Sequence, residues 1–537
     1  MTPDPRPLSS RARGQDGFTL IELLVVIVIL GVIAAIVVFS VRGIGDKGRE
    51  NAVAADAATL RTAQESYCAR HGRYGTVDDL KDDGLLAGDP VYNMVLVGDE
   101  NKCGRGPKSS FTLYNTSPME RGADPIPVGA NPTDLAVDEK ANRVYVVSSG
   151  SGSGKLSKVT VIDGRTDEPI GSPIAITGAV SNPTRIAVDA DTGKVYVGGT
   201  NGVAIIDTAN ANGVTRVSGF TAAVSGLAVS PENGEVYVGG GTASKPEVAY
   251  IAAGGASATP IPLPSAGLVA AANGMDFSFD PSRHAVYLAK AGHGNGTTSA
   301  ANIGLFAISS ETHQARLVVD FPTKPSCATP GNVLRGGTVR GSTVVDPNRN
   351  LVYLLARRCA PDTADPQGSW SAVATTIAID PTDGSSTPID DPAGSAYGPM
   401  SAVYNAAAGS VYVFSNGGTL AGCGSLAGRI NRIVGTKVTG EASACGMSYI
   451  SGNAAHKMTV LKNFNRVFVA QLKTERTDGA VEAPGGIAVA DGTTLLTQAP
   501  LGTPRHFGSL AVNNTTAKVY AVDPVDGTVA VFRTGSA

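Results

Sequence analysis

One pattern returns through most of this chain: a short alternating strand, a polar turn, and a second strand centred on Val-Tyr-hydrophobic. NPTDLAVDEKANRVYVVSS, from Asn131 to Ser149, recurs as NPTRIAVDADTGKVYVGGT from Asn182 to Thr200 and as VSGLAVSPENGEVYVGGG from Val224 to Gly241. Divergent copies follow at MDFSFDPSRHAVYLAKA, STVVDPNRNLVYLLAR, MSAVYNAAAGSVYVFSN, MTVLKNFNRVFVAQL and SLAVNNTTAKVYAVD. Aligned on the aromatic, the copies place Tyr145, Tyr196, Tyr237, Tyr287, Tyr353, Tyr412, Phe468 and Tyr520 in register at intervals of 41 to 66 residues. Such a period implies a supersecondary unit that cannot bury its apolar side chains alone and must pack on its neighbours. Composition agrees: 66 Gly and 32 Pro among 537 residues, with only 17% charged, describe short strands and many turns.

Further strands, such as KVTVIDG and PIAITG after the first copy, fill the intervals. Four strands per unit is the arithmetic of a propeller blade, so residues 123–537 are expected to form a β-propeller. Eight copies predict eight blades, or seven if one divergent copy is a decoration. The NPT…AVD…VYV copies resemble the YVTN family of surface β-propellers. A single tryptophan, Trp370, with no repeated Trp-Asp sets WD40 propellers aside. The last copy ends after TVAVFRTG, one strand short of a blade, while PIPVG (Pro125 to Gly129) precedes the first copy; that segment is expected to complete the last blade and remove its open edge. The recurring tyrosines and valines read as blade core rather than ligand contacts. Propeller function usually sits in loops at the ring faces. The longer insertions, GHGNGTTSAAN, PTKPSCATPGN, CAPDTADPQGSW and GGTLAGCGSLAG, therefore mark one reinforced face as a candidate surface for an extracellular ligand.

Ahead of the repeats, Phe18 to Val41 reads FTLIELLVVIVILGVIAAIVVFSV, long enough to cross the ~30 Å hydrocarbon layer as a helix. Glu22 sits inside this run, where an unpaired carboxylate costs about 2.5–3.5 kcal/mol. A secretory signal would place its small-residue cleavage site after the apolar stretch, whereas Gly17 stands before it. Gly17-Phe18-Thr19-Leu20-Ile21-Glu22 resembles the cleavage and N-methylation motif of type IV prepilins, shared by pseudopilins of type II secretion. The resemblance implies a leader over residues 1–17, cut after Gly17 by a prepilin peptidase that methylates the new amine of Phe18. It implies that Glu22 pairs with the terminal amine of a neighbouring pilin subunit. The precursor would sit in the cytoplasmic membrane with its C-terminal part outside, then pass to a pilus or the cell surface. An N-terminal pilin-like long α-helix is expected over 18–70, with 18–41 as its membrane and assembly segment. Ala54, Ala58, Leu60 and Ala63 would supply its later apolar stripe, and Gly43, Gly45 and Gly48 a break between the halves. A small α/β part follows over 71–122, where YNMVLVGDENKC and SSFTLYNTS form a hairpin.

Six cysteines fall in three local pairs, Cys68 with Cys103, Cys327 with Cys359 and Cys423 with Cys445, as disulfides in an oxidising compartment would, although six cysteines allow about fifteen pairings. A net charge of −3 offers no basic face for nucleic acid. No HExxH or GxSxG occurs, and the six histidines are scattered along the chain, so no catalytic residue, metal ligand or cofactor is assigned and an enzyme is not expected. The SGSGSGKL segment lacks the first glycine and the Ser/Thr of a phosphate loop and reads as a hairpin link. The stretch DPTDGSSTPIDD, Asp380 to Asp391, reads as turn chemistry rather than a calcium loop, since it lacks the acidic spacing and glutamate of an EF-hand.

Overall fold

The computed structural model describes residues 55–88, 90, 93–97, 103, 111–115, 119–122, 124–150, 156–242, 245–264, 275–290, 303–324, 334–335, 343–361, 370–392, 399–416, 427–445, 457–471, 474–475, 481–483, 486–493, 495 and 507–534. In the first repeat the strands are Pro132–Asp138, Arg143–Ser148, Lys158–Asp163 and Ile174–Ala175, hydrogen-bonded in that order as an antiparallel meander. The same meander recurs as blades over 185–216, 224–260, 277–321, 343–390 and 399–445, with three described strands in the blade over 457–491 and three, completed by strands from before the first repeat, in that over 510–534. The first strands of the blades pack on one another in sequence order, and that of the eighth packs on that of the first. Eight blades therefore close into a ring around these innermost strands.

The period of two along each strand explains why the ring holds. Tyr145 and Val147 point into the junction with blade two, while Val144 and Val146 point into the junction with blade eight. Both faces of a blade are buried, so a middle strand such as RVYVVS is a continuous apolar run rather than an alternating one. One apolar cluster fills every junction, including that between blades eight and one, where Tyr520, Val522 and Val529 meet Leu135, Val144 and Ile162. All seven aligned tyrosines and Phe468 are at most 2% exposed, which establishes them as blade core.

The expected closure is present: Ile126–Pro127 pairs antiparallel with Val529 and Thr528 of the last strand, Thr528–Thr534. An earlier strand, Met119–Arg121, extends the same edge by pairing with Thr534, Arg533 and Phe532. Hydrogen bonds between the turns add to this junction, Asn513 Nδ2 donating to Asn142 Oδ1 at 2.6 Å and Ser509 Oγ to Asp134 Oδ1 at 2.6 Å.

Before the ring, a helix covers 55–71. Its buried stripe is Leu60, Ala63, Gln64 and Tyr67, at helical spacing; Ala58, expected on that stripe, is exposed. Gln64 is buried because its amide is satisfied twice by Gly75, accepting from the backbone N–H at 3.0 Å and donating to the carbonyl. A short helix, Val77–Asp82, begins at a reciprocal cap in which Asp79 N donates to Thr76 Oγ1 at 3.2 Å and Thr76 N to Asp79 Oδ2 at 2.8 Å. Cys68 and Cys103 form a disulfide that ties the long helix to the segment before the hairpin strand Phe111–Asn115, which pairs with Asn93–Val97 as expected. Among the described residues no helix is long and apolar enough to cross a membrane; the run Phe18–Val41 lies outside them.

Candidate functional site: the two faces of the ring

An antiparallel meander sends its connections to two ends, and here the ends differ. The links from first to second strands and from third to fourth strands share one face. At the close of a first strand, Asp138 Oδ1 accepts from Ala141 N at 2.8 Å, Asp346 Oδ1 from Asn348 N at 3.1 Å and Asn405 Oδ1 from Ala407 N at 3.1 Å, side chains that hold a tight turn. Each such turn ends in a left-handed residue just before the second strand, from Asn142 (φ 52) and Gly193 (φ 67) to Ala517 (φ 54). We call this the turn face.

The links from second to third strands, and from each fourth strand to the next blade, emerge at the opposite end. The longest connections there are 261–276, 291–302, 322–342 and 472–485. All four insertions singled out in the sequence leave the blades at this loop face, because each follows a second strand or a fourth strand. Cys359 is disulfide-bonded and lies at the loop-face end of the strand Leu351–Pro361; Cys445 ends the strand Lys437–Cys445 on the same side. Cys327 and Cys423 lie outside the described residues, as do Gly17, Phe18 and Glu22.

The segment that joins the helical part to the ring enters at the turn face. Met119 pairs with Thr534 at the end of the last strand, and Ile126 with Val529 nearer its start, so this segment climbs from turn face to loop face. The hairpin strand Phe111–Asn115 also packs beside Lys462–Phe464, the turn-face link of blade seven. Attachment and long connections therefore occupy opposite ends of the ring.

At three junctions a recurring tyrosine staples adjacent blades at the turn face, whereas the buried Tyr145 hydroxyl has no hydrogen-bond partner among the described residues. Tyr353 OH donates to Gly435 O of the next blade at 2.8 Å, Tyr520 OH to Gly164 O at 3.2 Å, and Tyr412 OH to Gly492 O. Each acceptor lies on the return from the third strand of the following blade. Blade seven carries Phe468 instead, and among the described residues the eighth blade shows no such return: its third strand runs to Thr534 and its partner strand arrives from Met119.

Histidines scattered in sequence meet at one junction. His284 Nδ1 contacts Glu232, His313 Nε2 lies 3.0 Å from both carboxylate oxygens of Glu235, and Tyr250 stacks on His313 with ring centroids 3.5 Å apart. One sequence signal pointed there: Glu235 stands where other copies have Arg143, Lys194, Arg466 and Lys518. Among the described residues no group of three His, Cys, Asp or Glu could hold a metal ion. In the Asp380–Asp391 stretch, Asp380 and Asp383 accept from Thr382 N and Ser385 N in a turn-face link, while Asp390 is held by Arg358 and Thr375 at the other end of the strand Ser386–Asp390. A polar cavity between blades five and six, lined by Thr375, Thr376, Asp391, Ser415 and Asn431, has room for about one water molecule.

Residues 12–38 match the family model described as the prokaryotic N-terminal methylation motif. The type II secretion system core protein G of Klebsiella michiganensis is 40% identical over 68 residues, 13% of this chain and 48% of that protein. That of Aeromonas hydrophila is 39% identical over 66 residues, 12% of this chain and 46% of that protein. The chain thus spans about half the length of the curated relatives it matches. Among solved structures, the Dos1 propeller is 11% identical, covering 78% of this chain and 95% of its own, with a TM-score of 0.48.

Proposed function

We propose that this chain is a pilin-like filament subunit, minor or tip-located, that displays its propeller outside the cell for adhesion or ligand binding. The methylation motif over 12–38 supports processing by a prepilin peptidase after Gly17, anchoring of the precursor in the membrane and assembly with other pilin subunits through Glu22. The observation that carries the display reading is the polarity of the ring: the chain enters at the turn face, so the long connections leave from the far end, where a ligand can reach them. No catalytic role is proposed.

A second reading, a pseudopilin of a type II secretion machine, is favoured by the similarity to core protein G. There the propeller would engage cargo in the cell envelope.

Mass spectrometry of the sheared surface fraction tests both. An N-methylated peptide beginning at Phe18 in sheared filaments is the expected result; the same peptide confined to the envelope would favour the pseudopilin, and only leader-bearing protein would overturn processing. Glu22→Ala is expected to leave cleavage intact and to reduce assembly, measured as the sheared fraction of processed subunit. Normal incorporation of that variant would contradict the pairing role.

A further inference from the structure

Beside their hydroxyl contacts, seven junctions carry side-chain links of one kind across the turn face. They use amides and permanently charged groups: Lys518 Nζ to Asp167 Oδ2 at 2.8 Å between blades eight and one, Lys140 to Asp191 at 3.2 Å between one and two, and Lys194 to Gly254 O between two and three. Arg316 donates to Pro381 O, Arg349 to Gly409 O at 2.6 Å, Arg432 to Thr493 O, and Asn463 to Asn514 O at 3.1 Å at the next four. None of these links uses a histidine.

The junction between blades three and four inverts this chemistry. Asp167 and His313 occupy the same place, a left-handed residue (φ 63 and φ 55) in the turn between third and fourth strands. The residues they meet, Lys518 and Glu235, both open a second strand. Lysine on aspartate has become glutamate on histidine, with the cation now on the opposite blade. A second imidazole repeats the arrangement nearby: His284, at φ 51 in the tight turn of blade four, contacts Glu232, whose other oxygen accepts from Ser310 Oγ at 2.9 Å. Glu235 is further held by Asn233 Nδ2 at 3.0 Å and Tyr237 OH at 3.2 Å.

We propose that this junction is a proton-controlled seam, clamped by two imidazolium–carboxylate pairs when His284 and His313 are charged and loosened when they lose their protons. Histidine is the side chain whose charge changes in the physiological range. Glu232 and Glu311 face His284 and favour its charged form, Glu235 lies against His313, and Asp189 of blade two lies behind Gly234. The guanidinium of Arg283 beside His284 is engaged by Asp280 at 2.6 Å. The hydrogen bond and charge of Glu232 raise the His284 imidazole above its ordinary range. The sign follows: the clamp is complete below the unfolded histidine value, and weakens as pH rises through the raised folded value.

Hydrogen exchange of the full chain in detergent micelles, corrected for intrinsic rates, tests this at pH 5.5 and 8.5. Protection of the strands Val236–Thr242 and Ala285–Lys290 is expected to fall about tenfold at the higher pH, one decade per unit of coupling, while Lys518–Asp523 stays unchanged. The double variant His284→Gln, His313→Gln should show the low protection at both values. Glu232→Gln with Glu235→Gln provides the same test from the other blade should the histidine variant fail to fold. An equal response at both junctions, or a wild-type pH response in either double variant, would overturn the proposal.

Discussion

Position for position, the blades repeat, and deviations from the repeat carry the information. Phe468 stands where, among the described residues, blade eight shows no return from its third strand, whereas Tyr412 faces the carbonyl of Gly492. Tyr412→Phe is accordingly expected to cost about 1 kcal/mol. Phe468→Tyr is expected to cost about 1–3 kcal/mol by burying a hydroxyl away from an acceptor, both read from urea midpoints of the full chain. A rise in stability for Phe468→Tyr would refute the account of the deviation. The aromatic register was legible in sequence; the partners of the stapling hydroxyls were not, since they lie on the following blade, 82 residues away in Tyr353–Gly435 and 80 in Tyr412–Gly492. Glu235 is the same case: its reversed charge is visible in an alignment of the copies, but its histidine partners belong to a different blade.

At the scale of single elements, local chemistry explains most boundaries. The short helix Val77–Asp82 starts where Thr76 and Asp79 cap each other, and the hydrogen bond from the Thr76 backbone holds the Asp79 carboxyl below the usual range. Thr76→Ala should destabilise this helix by about 1 kcal/mol and move the Asp79 titration back toward its ordinary value, because only the hydroxyl half of the box is lost while the helix start frays. A carboxyl titration followed by NMR checks it; an unmoved Asp79 together with unchanged stability would exclude the cap as a contributor. The hairpin Asn93–Val97 with Phe111–Asn115 was predicted from its apolar runs; in the stripe of the preceding helix Leu60 and Ala63 are buried as expected, Ala58 is not, and Ala54 lies outside the described residues. Alanines carry little pattern, and Ala58 and Ala63 look alike until Tyr67 and Leu60 show which side packs on Leu80.

For the whole molecule the closing segment matters most. Ile126 is 5% exposed and packs with Val128, Leu135 and Tyr520, so it belongs to the core of blades eight and one although it precedes every repeat. Ile126→Ala is expected to cost about 2–4 kcal/mol and to raise exchange in Thr528–Thr534 first, since that strand would lose its outer partner. Loss of protection beginning at blade four instead would indicate that the ring opens elsewhere. What the amino-acid sequence determined by itself was the unit, with its number narrowed to eight or seven: β-branched runs around a register aromatic, polar turns, a surplus strand before the first copy and a last copy one strand short. It also carried the methylation motif at Gly17 to Glu22, read from covalent order alone and matched over residues 12–38. Tertiary structure alone decided which end of the ring faces away from the attachment and which histidines meet which glutamates. Those are properties of strand direction and of neighbours brought together by closure, and a local pattern holds no record of a contact made between blades.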